Sequence, residues 1–227
     1  MFFDAGETLV HAHPSFPELL TKVLNEEGHG VDADVVRERL WVVSERFLKA
    51  AQENELWSTS AERSRAFWSS IYETFLGELG IEWSEHLADR LYSTFTDISN
   101  YRLFPDALGA LELLDHRGLQ LGLISNFEGW LEGLLEALDV ARFFEVRVIS
   151  GVEGLEKPDT KIFEVALDRA GVEAGRSAYV GDNVHFDTAP ASEIGMLSVL
   201  IDRRGRYPDH DGIRITSLDE LPAALGL

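Results

Sequence analysis

Met1-Phe2-Phe3-Asp4-Ala5-Gly6-Glu7-Thr8-Leu9 opens the chain with an apolar run that ends in a carboxylate, followed by small residues and a hydroxyl. Such a run predicts a buried strand that delivers Asp4 to the carboxyl edge of a sheet, where open α/β sheets build their sites. The rest of the chain decides the class of sheet. Strand-like runs recur at about 119–124, 144–149, 178–180 and 197–201, and they alternate with helical patterns at about 105–117, 130–138, 159–170, 185–194 and from 218. This alternation predicts an α/β fold, a Rossmann-like parallel sheet with helices on both faces.

Residues 16–98 interrupt that rhythm. Val36, Leu40, Val43, Phe47 and Ala50 recur at helical spacing and line one face. Thr59-Ser60-Ala61-Glu62 has the spacing of a capping box and precedes a stripe of Trp68, Ile71, Phe75 and Leu79, while Ser84 can cap a further helix carrying Leu87, Leu91 and Phe95. A four-helix insertion is therefore expected over 16–98, with the α/β core made of 1–15 plus 99–227. Pro14 and Pro17 mark the segment after Leu9 as a connection that leaves the strand.

Composition narrows the function. With 227 residues, 45% of them hydrophobic, the chain can fill a large core, and the absence of cysteine rules out disulfides and thiolate chemistry. Twenty Lys and Arg against forty Asp and Glu give a net charge of −20, which repels nucleic acid and anionic membrane. No apolar stretch approaches the roughly 20 residues of a membrane span. A soluble, cytoplasmic protein is expected, and the oligomeric state is left open. Any phosphate site in so acidic a chain needs local positive charge.

Three later segments should meet Asp4 at the same sheet edge. Ser125-Asn126 ends an apolar strand, where a hydroxyl and the amides of a helix start could hold an anion. Lys157 is kept out of the following helix by Pro158, so it can point into the site as a charge. Gly181-Asp182 ends the next strand, with Asp187 five residues on.

In this order, Asp4-x-x-x-Thr8-Leu9, Ser125-Asn126, Lys157-Pro158 and Gly181-Asp182 with Asp187 resemble the four motifs of the haloacid dehalogenase superfamily. The resemblance covers nearly the whole chain, with 16–98 in the place of the family's helical cap. It implies a hydrolase of small phosphorylated substrates in which Asp4 is the nucleophile and forms an aspartyl phosphate. It further implies a Mg²⁺ held by Asp4, the carbonyl of Gly6 and Asp182. Thr8, Ser125 and the amide of Asn126 would bind the phosphoryl oxygens, Lys157 would neutralise nucleophile and phosphate, and Asp187 would orient Lys157 or a metal-bound water.

One position departs from the phosphatases of that family. They carry a second aspartate two residues after the nucleophile as general acid, and here that residue is Gly6, as in a subgroup whose first motif lacks it. Glu7, His11 and His13 are nearby substitutes, although a solvent-facing Glu7 is the plainer expectation. Two alternatives remain: a metal-independent 2-haloacid dehalogenase, disfavoured because Asp182 sets a bare carboxylate beside Asp4, and a catalytically weak binding or regulatory protein. In the helical insertion Arg63 and Arg65 are candidates for substrate contact, Trp57 and Trp68 read as entrance or core, and Lys49 as surface. His185 reads as the surface residue of a helix start.

Overall fold

A computed structural model describes residues 1–53 and 55–227. The chain divides into two compact units, Met1–His11 with Leu103–Leu227 and the intervening Ala12–Arg102. Its strands are β1 (Phe2–Phe3), β2 (Val10–Ala12), β3 (Tyr101–Leu103), β4 (Leu121–Ser125), β5 (Phe144–Ile149), β6 (Ala178–Gly181), β7 (Leu197–Ile201) and β8 (Ile213–Ile215).

Six of them form the sheet of the larger unit, in the order β5-β4-β1-β6-β7-β8, and every pairing is parallel. The chain steps outward from β1 through β4 to β5, then returns to the other side of β1 with β6. That reversal puts a topological switch point at β1, and the crevice outside the strand ends there is where doubly wound sheets bind ligands. β1 is only two residues long, yet Phe2 and Phe3 are buried and register against Gly122 and Leu123 on one side and Tyr179 and Val180 on the other. Gly122 is required beside it: a Cβ there would stand 2.5 Å from the Phe2 ring. Helices Ala107–His116, Leu131–Ala137, Lys161–Ala170 and Ala189–Glu193 connect the strands. One core cluster joins Phe2, Ile124, Val148, Phe163 and Tyr179.

The residues between Ala12 and Arg102 contain helices Phe16–Glu26, Ala33–Arg37, Trp41–Glu53, Ala61–Glu78 and Glu85–Thr96. The apolar stripes read from the sequence all join their common core, with Val36, Ile71, Phe75 and Leu91 fully buried and Leu40, Val43, Phe47, Trp68 and Leu79 packed against them. Periodicity alone overlooks two details. The stretch carrying Val36 to Ala50 is two helices, because residues 38–40 turn between them while the stripe keeps one face. Ser60, not Thr59, is the cap of its helix and accepts from Arg63 N. Ser84 caps Glu85–Thr96 as expected, accepting from Leu87 N.

Other differences are local. The segment after Leu9 first forms β2, since Leu9 N and Val10 N both bond back to Ala5 O, close a turn and release an extended chain before Pro14 acts. β8 lacked a sequence signal because three residues between polar turns carry no measurable period. The stretch expected as one helix near 185–194 begins as a π-turn, Val184–Thr188, before Ala189–Glu193. No helix among the described residues is long and apolar enough to cross a membrane.

Candidate active site

The carboxyl ends of β1, β4 and β6 bring four of the expected segments together. Asp4 follows β1 and its amide bonds to Val180 O (2.9 Å), so the carboxylate leaves the sheet between β4 and β6. Beyond it the chain turns tightly, and Glu7 takes the left-handed conformation (φ 55°). Gly6 does not, and a Cβ built on it would meet only Phe127 Cε2, at 3.7 Å. Gly6 is therefore not demanded by the turn, and the backbone strain of this loop falls on Glu7.

Lys157 is the hub of the site. Its side chain is 3% exposed, and Nζ donates to Asp4 Oδ1 (2.8 Å), Asp187 Oδ1 (2.5 Å) and the Tyr179 hydroxyl (3.0 Å). Asn126 fixes the lysine's backbone from both sides: its Oδ1 accepts from Lys157 N (2.7 Å) and its Nδ2 donates to Lys157 O (2.8 Å). The Asn126 side chain is thus committed to holding Lys157. Ser125 Oγ donates to Asp4 Oδ1 at 2.9 Å. The helix expected over about 130–138 is Leu131–Ala137, so residues 126–130 separate its amino end from Ser125. Ser150 instead braces the loop, accepting from Phe127 N (2.9 Å) and donating to Phe127 O (3.1 Å).

Asp187 is buried and both its oxygens are engaged. Oδ1 accepts from Lys157 and from Tyr179, and Oδ2 accepts from Asn183 N at 2.9 Å. The π-turn draws it in, and a glycine must precede: a Cβ on Gly181 would lie 2.4 Å from Asp187 Cγ. That is the steric reason for the Gly-Asp pair at 181–182. Asp182 directly follows β6, and Arg206 Nη2 donates to its Oδ2 (2.6 Å) and its backbone oxygen (3.2 Å).

Three carboxylates gather here, with Asp4, Asp182 and Asp187 each placing an oxygen within 4.8 Å of the others. Burial raises the Asp4 carboxyl above its ordinary range, and Asp187 adds to this, while Lys157 and Ser125 oppose it. Asp182 is pushed up to about 7 by burial and by the charges of Asp187 and Asp4, against the pull of Arg206. Lys157 stays firmly protonated because its two carboxylate partners outweigh its burial.

These groups suit a hard divalent cation. Oδ2 of Asp4 and Oδ1 of Asp182 have no hydrogen-bond partner among the described residues, whereas Asp187 has none to spare. Thr8 Oγ1 is likewise buried and unpartnered, a hydroxyl waiting for an acceptor or donor that the chain does not supply. Free carboxylate oxygens are the ligands Mg²⁺ takes.

The pH dependence of stability follows from the two raised carboxyls. A carboxyl raised in the folded state loses its proton later than in the unfolded chain. The metal-free protein should therefore lose stability as pH rises from about 4 through about 7. A Mg²⁺ held by Asp4 and Asp182 would raise the melting temperature more at pH 8 than at pH 6, its binding weakening up to about tenfold per unit below pH 7 as it competes with the Asp182 proton. Melting curves with and without Mg²⁺ across this range check both signs.

A family model for haloacid dehalogenase-like hydrolases matches residues 1–195. The chain belongs to the haloacid dehalogenase-like hydrolases. The hydrolase is 32% identical over 169 residues to haloacid dehalogenase-like hydrolase domain-containing protein 3 of Danio rerio, covering 71% of this chain and 70% of that protein. It is 36% identical over 128 residues to a glyceraldehyde 3-phosphate phosphatase of Methanocaldococcus jannaschii, 53% of this chain and 55% of that enzyme. Its fold matches a HAD hydrolase of Bacillus subtilis, solved bound to magnesium, with a TM-score of 0.82 at 16% identity over 100% of this chain and 97% of that one.

The other expected residues of the hydrolase have surroundings of their own. Glu7 is paired to Arg204 Nη2 at 2.5 Å and half-exposed, which leaves it an ion-pair partner of a surface loop. The His11 ring packs tilted against Phe104, with centroids 4.6 Å apart. In the helical unit Arg63 donates to Thr59 Oγ1 (3.1 Å), and Arg65 pairs with Asp89 beside the Tyr92 ring. Trp57 is buried in that unit's core, and Lys49 and His185 are exposed.

Sequence reasoning missed Tyr179 and the arginines after β7. Tyr179 lies fully buried in a strand otherwise made of apolar and small residues, and a buried tyrosine needs a partner for its hydroxyl. That lone polar tip was the available signal, and it bonds Ile124 O (3.0 Å), Asp187 and Lys157. Arg203 donates to Thr8 O (2.9 Å) and to both oxygens of Asp106, tying the loop after β1 to its own unit. Asp106 consequently makes no side-chain cap for the helix it precedes.

Proposed function

We propose that the hydrolase is a Mg²⁺-dependent phosphatase of small phosphorylated metabolites, acting through an aspartyl phosphate on Asp4. The observation that carries this reading is the pairing of Asp4 with Asp182: two neighbouring carboxylates, each with a free oxygen, whose burial and mutual repulsion call for a cation. A dehalogenase has no use for the second carboxylate. The similarity to a glyceraldehyde 3-phosphate phosphatase supports the choice of substrate class.

Asp4, Asp182 and the carbonyl of Gly6 would hold the ion. When bound, Mg²⁺ would neutralise the carboxylates and polarise the substrate phosphoryl group. The chain's own residues do the rest. Lys157 and Ser125 hold Oδ1 of Asp4, so the carboxylate is fixed in place with Oδ2 free for the ion and Oδ1 as the oxygen that attacks. The bond between Oδ1 and phosphorus forms as the ester oxygen leaves, and water then hydrolyses the acyl phosphate to regenerate Asp4. Thr8 Oγ1, the backbone amide of Asn126 and the Ser125 hydroxyl once it turns from Asp4 would donate to the phosphoryl oxygens, and Lys157 would balance the charge that develops on them. Asp187 and Tyr179 keep Lys157 aimed, with Asp187 acting through the lysine.

The hydrolase falls with members whose first motif lacks the second aspartate, so the leaving alkoxide departs without a side-chain acid at position 6. Good leaving groups should turn over well and alkyl phosphates slowly. Because a Cβ at Gly6 meets only Phe127 Cε2, Gly6→Asp should fold and should raise kcat on alkyl phosphates about 10²-fold, with little gain on aryl phosphates. Phosphate release from matched aryl and alkyl esters checks this. The decisive comparison for the function itself sets phosphate release from an aryl phosphate against halide release from a 2-haloacid, each with Mg²⁺ and with chelator. Metal-independent halide release would replace the phosphatase reading by the dehalogenase one.

A further inference from the structure

Arg203-Arg204-Gly205-Arg206 is the densest run of positive charge in a chain of net charge −20, and it follows β7 at the edge of the site. Its shape is set by Asp202, whose buried carboxylate accepts from Arg206 N (2.8 Å), Tyr207 N (2.9 Å) and Arg214 Nε (2.9 Å). The loop is therefore ordered by the fold before any ligand arrives.

The arginines differ in how their donors are used. Arg203 is structural, with two nitrogens bonded to Asp106 and Thr8 O and the guanidinium laid 3.9 Å over the Phe104 ring. Arg204 is bonded through Nη2 alone to Glu7, a half-exposed residue outside the carboxylate cluster. Arg206 is bonded through Nη2 alone, to Asp182, and its side chain is 42% exposed. The N–H groups of Nε and Nη1, three donors, have no partner among the described residues. A guanidinium held by one nitrogen beside a candidate phosphoryl site, with its other donors free, is arranged to receive anionic oxygens.

We infer that Arg206 is a specificity-determining residue, binding a carboxylate on the leaving group so that phosphate esters of hydroxy acids are preferred over those of neutral alcohols. This rests on the phosphatase reading of the same site. An acidic protein repels such doubly anionic substrates at long range, so a preference for them requires a dedicated cation, and Arg206 is the arginine of this loop that combines free donors with a bond to Asp182 of the site.

The test measures binding by calorimetry in the presence of Mg²⁺, using two non-hydrolysable ligands, 3-phosphonopropanoate and butylphosphonate. The natural protein should bind the carboxylated ligand at least tenfold more tightly. In Arg206→Gln the ratio should fall to one or below, and in Arg206→Lys, which keeps the charge with fewer donors, part of it should return. Arg204→Gln removes a neighbouring charge from the same loop and should keep most of the ratio. Any change in how Asp182 is held affects both ligands alike and cancels in the ratio. Equal affinities in the natural protein, or an unchanged ratio in Arg206→Gln, would overturn the inference alone. Failure of butylphosphonate to bind at all would overturn the phosphoryl site and the inference with it.

Discussion

Asp4→Asn should lower phosphate release by at least about 10⁴-fold and leave a folded protein. The loss is that large because the amide oxygen is a poor nucleophile and removing a nucleophile disables the whole catalytic unit. Ser125 and Lys157 can still donate to the side-chain oxygen, so the site's geometry survives. Charge balance points the same way. Lys157 faces Asp4 and Asp187 with Asp182 nearby, and burial already raises the Asp4 carboxyl. Removing one of three crowded carboxylates should therefore make the metal-free variant at least as stable as the natural protein at pH 8. Quench-flow with an aryl phosphate should show an acid-stable, base-labile phosphoprotein in the natural chain and none in the variant. Activity retained within tenfold would remove Asp4 from the role of nucleophile.

Lys157→Met should damage stability and catalysis together. Nζ is the only cation in hydrogen-bond contact with Asp4 and Asp187 among the described residues, and it is almost fully buried. Taking away one partner of a buried ion pair typically costs about 3–5 kcal/mol. For a chain of this size that is roughly 6–20 °C of melting temperature. Burial raises the Asp4 carboxyl, so it takes up its proton earlier than an ordinary carboxyl as pH falls, and the deficit should be smaller at low pH than at high pH. Adding Asp187→Asn removes the second stranded carboxylate and should recover part of the stability without restoring activity. In the single variant kcat should drop at least about 10²-fold, the cost of losing one preorganised charge partner. Melting curves at pH 5 and 8, alongside aryl phosphate turnover, separate the two effects.

Much of the site is legible along the chain because each part sits at the end of an apolar run. Phe2-Phe3, the residues before Ser125 and the residues before Gly181 are too hydrophobic to be anything but buried, and a parallel sheet aligns all their carboxyl ends. Asp4, Ser125 and Asp182 thus meet by topology, and Lys157 joins them because Pro158 bars it from the next helix. Tyr179 and Arg206 were not legible for opposite reasons. Tyr179 looks like any β-forming core residue until its hydroxyl is seen among polar groups, and Arg206 looks like a solvated loop cation until Asp202 is seen to fold the loop toward Asp182.

Gly6 shows the same division. Its lack of an acid is a fact of the amino-acid sequence, and a glycine between Ala5 and Glu7 invites explanation by turn geometry. The tertiary structure assigns the left-handed residue to Glu7 and leaves ordinary space at Gly6. The sequence by itself determined the parallel α/β sheet, its apolar strands and the carboxylates at their ends, because burial and period are local properties of the chain. Only the tertiary structure decided which donors are spent and which are free. That accounting depends on partners 30 to 153 residues apart, as Lys157 shows with Asp187 and Asp4, and no local pattern encodes it.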